Sequence, residues 1–265
     1  MIREHRVIDS HCHIYPPKIA AKAVAGTDRF YDSHSVLDGS AETLLREGTA
    51  AGVDHFVVCS VATTPHQVGS INRFIAAEVA ASNGRFTGLG TLHAESDNIR
   101  RDVEEIIALG LRGVKLHPDI QAFKLDDYRC LKMFELCEGR LPILIHTGDA
   151  RYDYSNPNRL LPILETYTEL TIIGAHFGTY SIWNEAPQLY DIPNFYVDCS
   201  STQGFLAPQR VRELIDGYGA GRVLFGTDYP MWHAADELEQ LQALGLTEEE
   251  LALIFHENAE KVFGI

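Results

Sequence analysis

Short β-rich runs alternate with helix-like segments along the whole chain. The eight runs occupy residues 6–9, 55–60, 86–92, 112–116, 142–145, 171–175, 195–199 and 223–226. Between them, apolar residues recur at helical spacing after residues that commonly cap helices. Such alternation is typical of parallel strands joined by crossover helices, and eight strands at fairly even spacing favour closure into a (β/α)8 TIM barrel of the α/β class.

Three of the predicted helices begin after residues whose side chains can cap a helix. Ser and Asp favour this position because their side-chain oxygens accept hydrogen bonds from the free amides of the first turn. The predicted caps and helices are Ser40 before 41–51, Asp97 before 98–109, and Asp126 or Asp127 before 128–137.

The length and composition fit one domain. The chain has 265 residues, of which 45% are hydrophobic and 22% are charged, and barrels of this length commonly fold without subdivision. No linker or low-complexity tract is evident, so residues 1–265 are expected to form a single domain. No Gly-x-Gly-x-x-Gly follows the first strand, which disfavours a dinucleotide fold. The longest connection, 14–37, is expected to be an active-site loop or cap.

The charge balance argues against nucleic acid and membrane surfaces as partners. The chain carries 22 Lys and Arg against 37 Asp and Glu, a formal net charge of -15 that repels phosphate backbones and anionic lipids. It has no secretory signal pattern and no run near the roughly 20 apolar residues that span a bilayer. Five scattered cysteines without a C-x-x-C pair fit a reduced compartment. We therefore expect a cytoplasmic protein with a small-molecule substrate, and the sequence leaves open its assembly into a homo-oligomer.

Side chains that can bind a metal or a substrate recur where the predicted strands end. The carboxyl ends of barrel strands and the loops after them form the active-site face, so residues distant in sequence converge there. The residues at these positions are His11, His13, Lys115, His117, His146, His176 and Asp228.

Four of these residues suggest a metal site. His11 and His13 are one residue apart, and alternate side chains of a strand share a face, so both imidazoles can point to the same spot. Taken singly, His146 could be a structural histidine and Asp228 a helix cap or turn residue. Their coincidence at the same ends of several strands indicates a metal site instead. Three imidazoles and one carboxylate suit Zn2+, with Mn2+ as the second candidate.

Five short segments resemble a known family. They are VIDSHCH at 7–13, GVKLHP at 113–118, LIHTG at 144–148, GAHFG at 174–178 and FGTDYP at 225–230. In this order they resemble the amidohydrolase superfamily, most closely the amidohydrolase-related family 2, which includes aminocarboxymuconate-semialdehyde decarboxylase and related decarboxylases. The resemblance covers essentially the whole chain and includes the closing segment.

The resemblance implies a TIM barrel with one metal ion held by His11, His13, His146 and Asp228. It also implies that His176 stands beside the metal-bound water, where an imidazole near its neutral pKa can move protons. Asp228 could bind the metal and also shuttle a proton. His176 and Asp228 are therefore the expected catalytic residues.

Lys115 departs from the mononuclear pattern of that family. It could bind a substrate carboxylate or form a salt bridge inside the barrel, and these interpretations come first. In superfamily members with two metal ions, a carbamylated lysine on the fourth strand bridges the ions, so a carbamylated Lys115 would imply a second ion. His117 lies on the same strand face and is the other substrate-binding candidate, with a structural turn role as its alternative.

Four functions compete. The leading expectation is hydrolysis of an ester, lactone or amide bond by a metal-activated water. The second is non-oxidative decarboxylation of an aromatic or unsaturated carboxylic acid, with Lys115 holding the carboxylate. A TatD-type phosphoesterase or nuclease also opens with Asp-x-His-x-His, but that group has a glutamate where this chain has GVKLHP. A barrel that only binds partners should have lost some ligands, and here every expected ligand is present.

Overall fold

A ring of parallel strands forms the centre of the structure. The computed structural model describes residues 5–265, which form the predicted (β/α)8 TIM barrel. Neighbouring strands pair in parallel. The strands are β1 (Ile8–His13), β2 (His55–Cys59), β3 (Phe86–Gly88), β4 (Gly90–Thr91), β5 (Val114–Leu116), β6 (Ile143–Ile145), β7 (Ile172–Gly174), β8 (Phe195–Asp198) and β9 (Val223–Leu224).

The third predicted strand, 86–92, is interrupted at Leu89 and therefore consists of β3 and β4. The amide of Leu89 donates to the carbonyl of Val58 on the preceding strand at 2.9 Å. The amide of Gly90 donates to the carbonyl of Gly113, beside the following strand, also at 2.9 Å. One continuous run thus joins its two neighbours, so the nine strands within residues 5–265 fill eight positions of the barrel.

The ring closes between β1 and the segment that follows β9. The amide of His13 donates to the carbonyl of Tyr229 at 2.7 Å. The buried carboxylate of Asp9 accepts hydrogen bonds from the amide and the hydroxyl of Thr227, at 3.0 and 2.6 Å. These bonds bring the end of the first strand beside the loop that carries Asp228.

Helices cover the outside of the ring. They are α1 (Ala20–Tyr31), α2 (Ala41–Ala51), α3 (Val68–Ala81), α4 (Ile99–Ala108), α5 (Pro118–Gln121), α6 (Tyr128–Cys137), α7 (Pro157–Thr166), α8 (Pro208–Tyr218), α9 (Ala234–Gln242), α10 (Glu248–Ala252) and α11 (Asn258–Phe263). Short 3-10 turns occupy Pro65–Gln67, His176–Gly178, Trp183–Leu189 and Ala220–Arg222, and a π-turn occupies Leu253–Glu257. Within residues 5–265, no helix is both long and apolar enough to cross a bilayer.

Two of the three predicted helix starts are confirmed. Ser40 caps α2 and Asp127 caps α6, each by accepting a hydrogen bond from an amide of the first turn. Helix α4 instead begins after Asn98, so the prediction that Asp97 is its cap is wrong by one residue. An Asn side-chain oxygen caps a helix as well as an Asp oxygen does.

Side chains inside the ring form their own apolar cluster. Adjacent residues of a strand face opposite sides, so Val57 points into the ring while Phe56 and Val58 belong to the larger core that includes the helices. The inner cluster includes Ile8, Leu89, Leu144, Ile173, Tyr196 and Leu224, together with Ala259 and Phe263 of α11. Towards the carboxyl ends of the strands, imidazoles and carboxylates take the place of these apolar side chains.

Glu237 of α9 is a buried acid that provides a test of the core. Its side chain is 2% exposed, and its carboxylate accepts a hydrogen bond from the Gln203 amide at 3.2 Å. Burial raises the pKa of Glu237 from 4.5 to about 8. Because the folded pKa lies above the unfolded one, the unfolded chain releases this proton first. The free energy of unfolding therefore falls as the pH rises from 4.5 towards 8.

We predict that Glu237→Gln removes this pH-dependent loss. The variant should match the wild type near pH 4.5 and exceed it at pH 8 by ~2–4 kcal/mol, below the ~5 kcal/mol that the full pKa difference would give. Urea unfolding of both proteins at the two pH values measures the difference. A constant difference across this range would contradict the buried, protonated state of Glu237.

Candidate metal centre

Three donor atoms converge at the mouth of the barrel. The Nε2 atoms of His11 and His13 are 3.1 Å apart, and Oδ1 of Asp228 lies 3.5 Å from the first and 3.6 Å from the second. Ligand atoms held tetrahedrally at ~2.1 Å from one ion lie ~3.4 Å from one another. The spacing of these three atoms therefore fits a single divalent ion.

A buried carboxylate sets the orientation of His11. Its Nδ1 donates to Oδ2 of Asp198 at 2.9 Å, so its Nε2 lone pair is left facing His13 and Asp228. Burial alone would raise the pKa of Asp198, but His11 and hydrogen bonds from Ser200 and others hold it below its usual range. A carboxylate behind a ligand imidazole in this way fixes its tautomer and strengthens it as a ligand.

Asp228 is held in place from the loop after β8. Its backbone is left-handed, with φ of 56°, and its Oδ2 accepts a hydrogen bond from the Ser201 hydroxyl at 2.8 Å. The indole of Trp232 donates to the same hydroxyl at 2.9 Å. The free oxygen of Asp228 is thereby directed towards the two imidazoles.

His146 lies beside this group but does not belong to its most compact part. The possible ligand atoms of His11, His13 and Asp228 all lie within 4.8 Å of one another, and within residues 5–265 His146 does not join that set. Its Nδ1 is 3.2 Å from Nε2 of His176, and its ring is stacked on His117 with centroids 4.1 Å apart.

Burial lowers the pKa values of three histidines of the site, His13, His146 and His176. Burial, reinforced by the neighbouring histidines and Lys115, holds the pKa values of His13 and His146 well below their usual range. The pKa of His176 is lowered by burial too, although Asp228 and Asp198 oppose the shift. A neutral imidazole keeps the lone pair that metal binding requires.

Lys115 lies among the candidate ligands. It is fully buried, and its ammonium donates to Nε2 of His11 at 2.9 Å. Burial lowers the pKa of Lys115, against the opposing effect of Cys59 and the nearby carboxylates. No carboxylate of the described chain lies within 4.0 Å of this ammonium, so the expectation of a salt bridge inside the barrel is wrong for this structure.

A cavity of about 810 Å³ opens above these residues. All seven residues that the sequence singles out line it, together with the connection 14–37, whose helix α1 folds over the mouth. Its other walls include Tyr180, Phe205 and Trp232. The site thus joins a polar floor to aromatic walls, which suits a small planar ligand.

The family of the chain follows from its sequence over nearly its full length. The family model described as Amidohydrolase matches residues 8–265. The chain belongs to the amidohydrolase family. The predicted family and the prediction of an enzyme are both confirmed.

Solved structures resemble this amidohydrolase over nearly the whole of both chains. An uncharacterized TIM-barrel protein from Bordetella bronchiseptica is 23% identical, with a TM-score of 0.81 and coverage of 98% of each chain. A dihydroxybenzoic acid decarboxylase from Polaromonas sp. JS666, with bound manganese and the inhibitor 2-nitroresorcinol, is 17% identical, with a TM-score of 0.76 and coverage of 98% of this chain and 97% of its own. A protein from Pseudomonas putida, provisionally described as a 2-pyrone-4,6-dicarboxylic acid hydrolase, is 22% identical, with a TM-score of 0.70 and coverage of 99% and 98%. No curated protein sequence matches the chain significantly.

Sequence reasoning missed two residues of the site in this amidohydrolase. Asp198 is the last residue of β8, so the same strand-end signal that indicated His146 could have found it. Tyr31 of α1 places its hydroxyl 2.6 Å from His117 and 3.3 Å from His146. No strand end or motif indicates Tyr31, because it comes from the long connection after β1.

We predict that Asp198→Asn weakens the binding of zinc to this amidohydrolase by about 10- to 100-fold, the usual effect of losing a carboxylate behind a ligand imidazole. Competition with a chromophoric chelator measures the affinity. Asp102→Asn, in a buried carboxylate of α4, is the matched control and should leave the affinity unchanged. Equal affinities for wild type and Asp198→Asn would contradict the role given to this carboxylate.

Proposed function

We propose that this amidohydrolase is a metal-dependent enzyme for a planar carboxylic acid, and that it removes the carboxyl group by non-oxidative decarboxylation. The observation that carries the proposal is the position of Lys115. This buried cation faces the candidate metal ligands on the floor of a cavity with aromatic walls. A buried cation without a carboxylate partner favours an anionic ligand.

The proposed metal ion strengthens this argument. Lys115 donates to Nε2 of His11, which is the same lone pair that a metal ion would use. Metal binding would therefore remove the one described hydrogen bond of a fully buried ammonium within residues 5–265. A substrate carboxylate beside the ion would restore an acceptor for it.

The proposed ligands are His11, His13, His146 and Asp228, for one Zn2+ or Mn2+ ion. A divalent ion held there would supply Lewis-acid stabilisation of negative charge on the substrate. His146 would join the other three by turning its Nε2 towards the ion, because its Nδ1 is engaged by His176. The manganese in the Polaromonas structure supports a divalent ion of this kind.

The residues of the chain divide the proposed reaction between them. Lys115 orients the carboxylate, and the aromatic walls hold the planar ring and exclude water. The bond between the ring carbon and the carboxyl carbon breaks, its electron pair stays on the ring carbon, and CO2 leaves. A proton then adds to that carbon in place of the carboxyl group, passed to it by Asp228 or His176. The likeness to a dihydroxybenzoic acid decarboxylase supports this reaction.

Hydrolysis of a carboxylated ester or lactone is the second candidate. It is favoured by His176, which lines the cavity and whose Nδ1 contacts the backbone carbonyl of Ser200 at 3.0 Å. An imidazole fixed in this way carries its lone pair on Nε2, which lies 3.2 Å from Nδ1 of His146 and would accept a proton from water once that contact opens. The likeness to the Pseudomonas putida protein supports this alternative.

We predict about one zinc or manganese ion per chain in protein purified without chelator, and its loss in Asp228→Asn and His13→Ala. Elemental analysis measures the content, and His66→Ala, at an exposed histidine, is the control that should retain the ion. Two ions per chain would contradict the mononuclear proposal and favour a carbamylated Lys115 as a bridge. Absence of metal, with none taken up on addition, would contradict the proposed enzyme chemistry.

We also predict that Lys115→Met lowers kcat/KM for the acid substrate by about 100-fold, since a buried charge-assisted hydrogen bond is lost. Release of CO2 from a panel of aromatic and unsaturated carboxylic acids identifies the substrate, and the matched lactones and esters test hydrolysis. Lys22→Met, at an exposed lysine of the cavity mouth, is the control. Turnover of the esters with no CO2 from any acid would replace decarboxylation by hydrolysis.

A further inference from the structure

The cavity extends along α1, well beyond the candidate metal centre. Tyr31 is the last residue of this helix, and its hydroxyl lies 2.6 Å from Nε2 of His117 beside the metal centre. Ala23, near the start of the helix, lines the same cavity. It is about two helical turns, or ~12 Å, before Tyr31 along the helix axis. With carbon–carbon bonds of ~1.5 Å, a single-ring acid is only about 7 Å long. Such an acid fills only the part of the cavity beside the metal centre.

One face of α1 forms the wall of this longer part. Among the twelve residues of the helix only Ala20 is buried. A methyl group in place of a hydrogen of Gly26 would meet, within residues 5–265 and beyond the backbone of α1, only a guanidinium nitrogen of Arg29 at 4.0 Å. The space beside this face is therefore open. The residues that line the cavity at helical spacing are Ile19, Ala23, Gly26 and Phe30.

Helix α3 and two loops supply a second, largely apolar wall. Ile71 and Phe74 lie one turn apart on α3, and both line the cavity while remaining half-buried. Val61, just after β2, and Ile120 of α5 also line the cavity and are half-buried. Apolar side chains left partly in water inside a cavity favour an apolar ligand that would cover them. We define the apolar subsite as Ile19, Ala23, Val61, Ile71, Phe74 and Ile120.

The polar groups of this wall are already hydrogen-bonded within the protein. The hydroxyl of Ser60 donates to the carbonyl of Ile14, and the hydroxyl of Ser70 donates to the carbonyl of Gln67 at 2.8 Å. The side-chain oxygen of Gln67 accepts from the amide of Thr63 at 2.9 Å. None of the residues between 60 and 74 that line the cavity is charged. This wall therefore suits an uncharged, apolar group better than a second carboxylate.

The two charged residues with which α1 lines the cavity do not change this conclusion. Lys22 and Arg29 are both exposed, so water solvates their charges. Lys115 is the fully buried cation of the cavity, and it lies among the candidate metal ligands. The cavity therefore has a charged end at the metal centre and an apolar end between α1 and α3.

We propose that the substrate is an aromatic acid with an apolar extension, whose carboxylate lies at Lys115 and whose second ring, or an alkyl group of similar size, fills the apolar subsite. This inference rests on the proposed function for the position of the carboxylate. Burial of the extension against Ile71 and Phe74 supplies binding free energy far from the bond that reacts. The apolar subsite thus selects among acids, whereas Lys115 acts on all of them alike.

Calorimetric titration of the zinc-loaded protein tests the apolar subsite without requiring turnover. The ligands are benzoate, 3-phenylbenzoate and 4-phenylbenzoate, which share the carboxylate and the first ring. We expect at least one phenylbenzoate to bind about 10- to 100-fold more tightly than benzoate, because the second ring and the side chains around it are both removed from water.

Substitutions in α1 and α3 assign this preference to the apolar subsite. Ala23→Trp, which fills the subsite, should weaken binding of the preferred phenylbenzoate by about 10-fold or more and change benzoate binding by less than 2-fold. Ala25→Trp introduces the same side chain at an exposed position of α1 outside the cavity lining, and it should leave both affinities unchanged. Ile71→Ala, which removes apolar contact without filling space, should weaken phenylbenzoate binding about 5-fold. Zinc content and thermal unfolding should be equal in wild type and both tryptophan variants.

The outcomes separate this inference from the proposed function. Equal binding of benzoate and both phenylbenzoates, or a preference that survives Ala23→Trp and Ile71→Ala, overturns the apolar subsite, while benzoate binding that requires Lys115 would still support the proposed function. Absence of binding by all three acids overturns both. A preference for phenylbenzoate that requires the apolar subsite, in a protein that releases no CO2 from any acid, supports the inference while the proposed reaction fails.

Discussion

The join between the first and last strands determines what the barrel mouth can do. Asp9 lies two residues before His11 and is fully buried. Its carboxylate accepts two hydrogen bonds from Thr227, and the amide of His13 donates to the carbonyl of Tyr229. These contacts place the two histidines of β1 beside Asp228, although more than 200 residues separate them along the chain. Burial raises the pKa of Asp9 to about 6, so the join holds a carboxyl group at an energetic cost that its hydrogen bonds offset in part.

Around this join, hydrogen bonds with a carboxylate, a carbonyl and an amide fix the orientation of three imidazoles. Asp198 fixes His11, the carbonyl of Ser200 fixes His176, and the amide of Ile120 fixes His117. Each fixed nitrogen determines where the opposite nitrogen of the same ring carries its lone pair or its proton. In the proposed function, the Nε2 lone pair of His11 passes from Lys115 to a metal ion, and the ammonium passes to a ligand.

The sequence predicted those parts of the site that depend on strand periodicity. Apolar runs locate the strands, and a barrel requires their carboxyl ends to meet, so His11, His146 and Asp228 could be brought to one face without coordinates. The same rule applies to Asp198, the last residue of β8, and brings it to the same face. The interruption of the third strand at Leu89 leaves no signal in the apolar pattern, since it changes backbone pairing and not side-chain character.

Tyr31 and the contact of Lys115 could not be predicted in this way. Tyr31 is the last residue of α1, in the long connection after β1 and outside the strand periodicity that relates a residue to the barrel axis, and it packs against Arg151 from another loop. The position of Lys115 on its strand was predictable. That its ammonium donates to a histidine and not to a carboxylate depends on which side chains the closure of the ring brings near it. Both features depend on tertiary contacts, and the position of Lys115 gives the site its proposed preference for an acid.

Anomalous diffraction at the zinc edge, from crystals grown with zinc, tests the central claim most directly. The account predicts a peak within ~2.0–2.2 Å of Nε2 of His11, Nε2 of His13 and an oxygen of Asp228, with Nε2 of His146 turned towards it and the ammonium of Lys115 moved away from His11. A peak bound elsewhere on the protein, or a lysine still bonded to His11 beside an ordered ion, would contradict it.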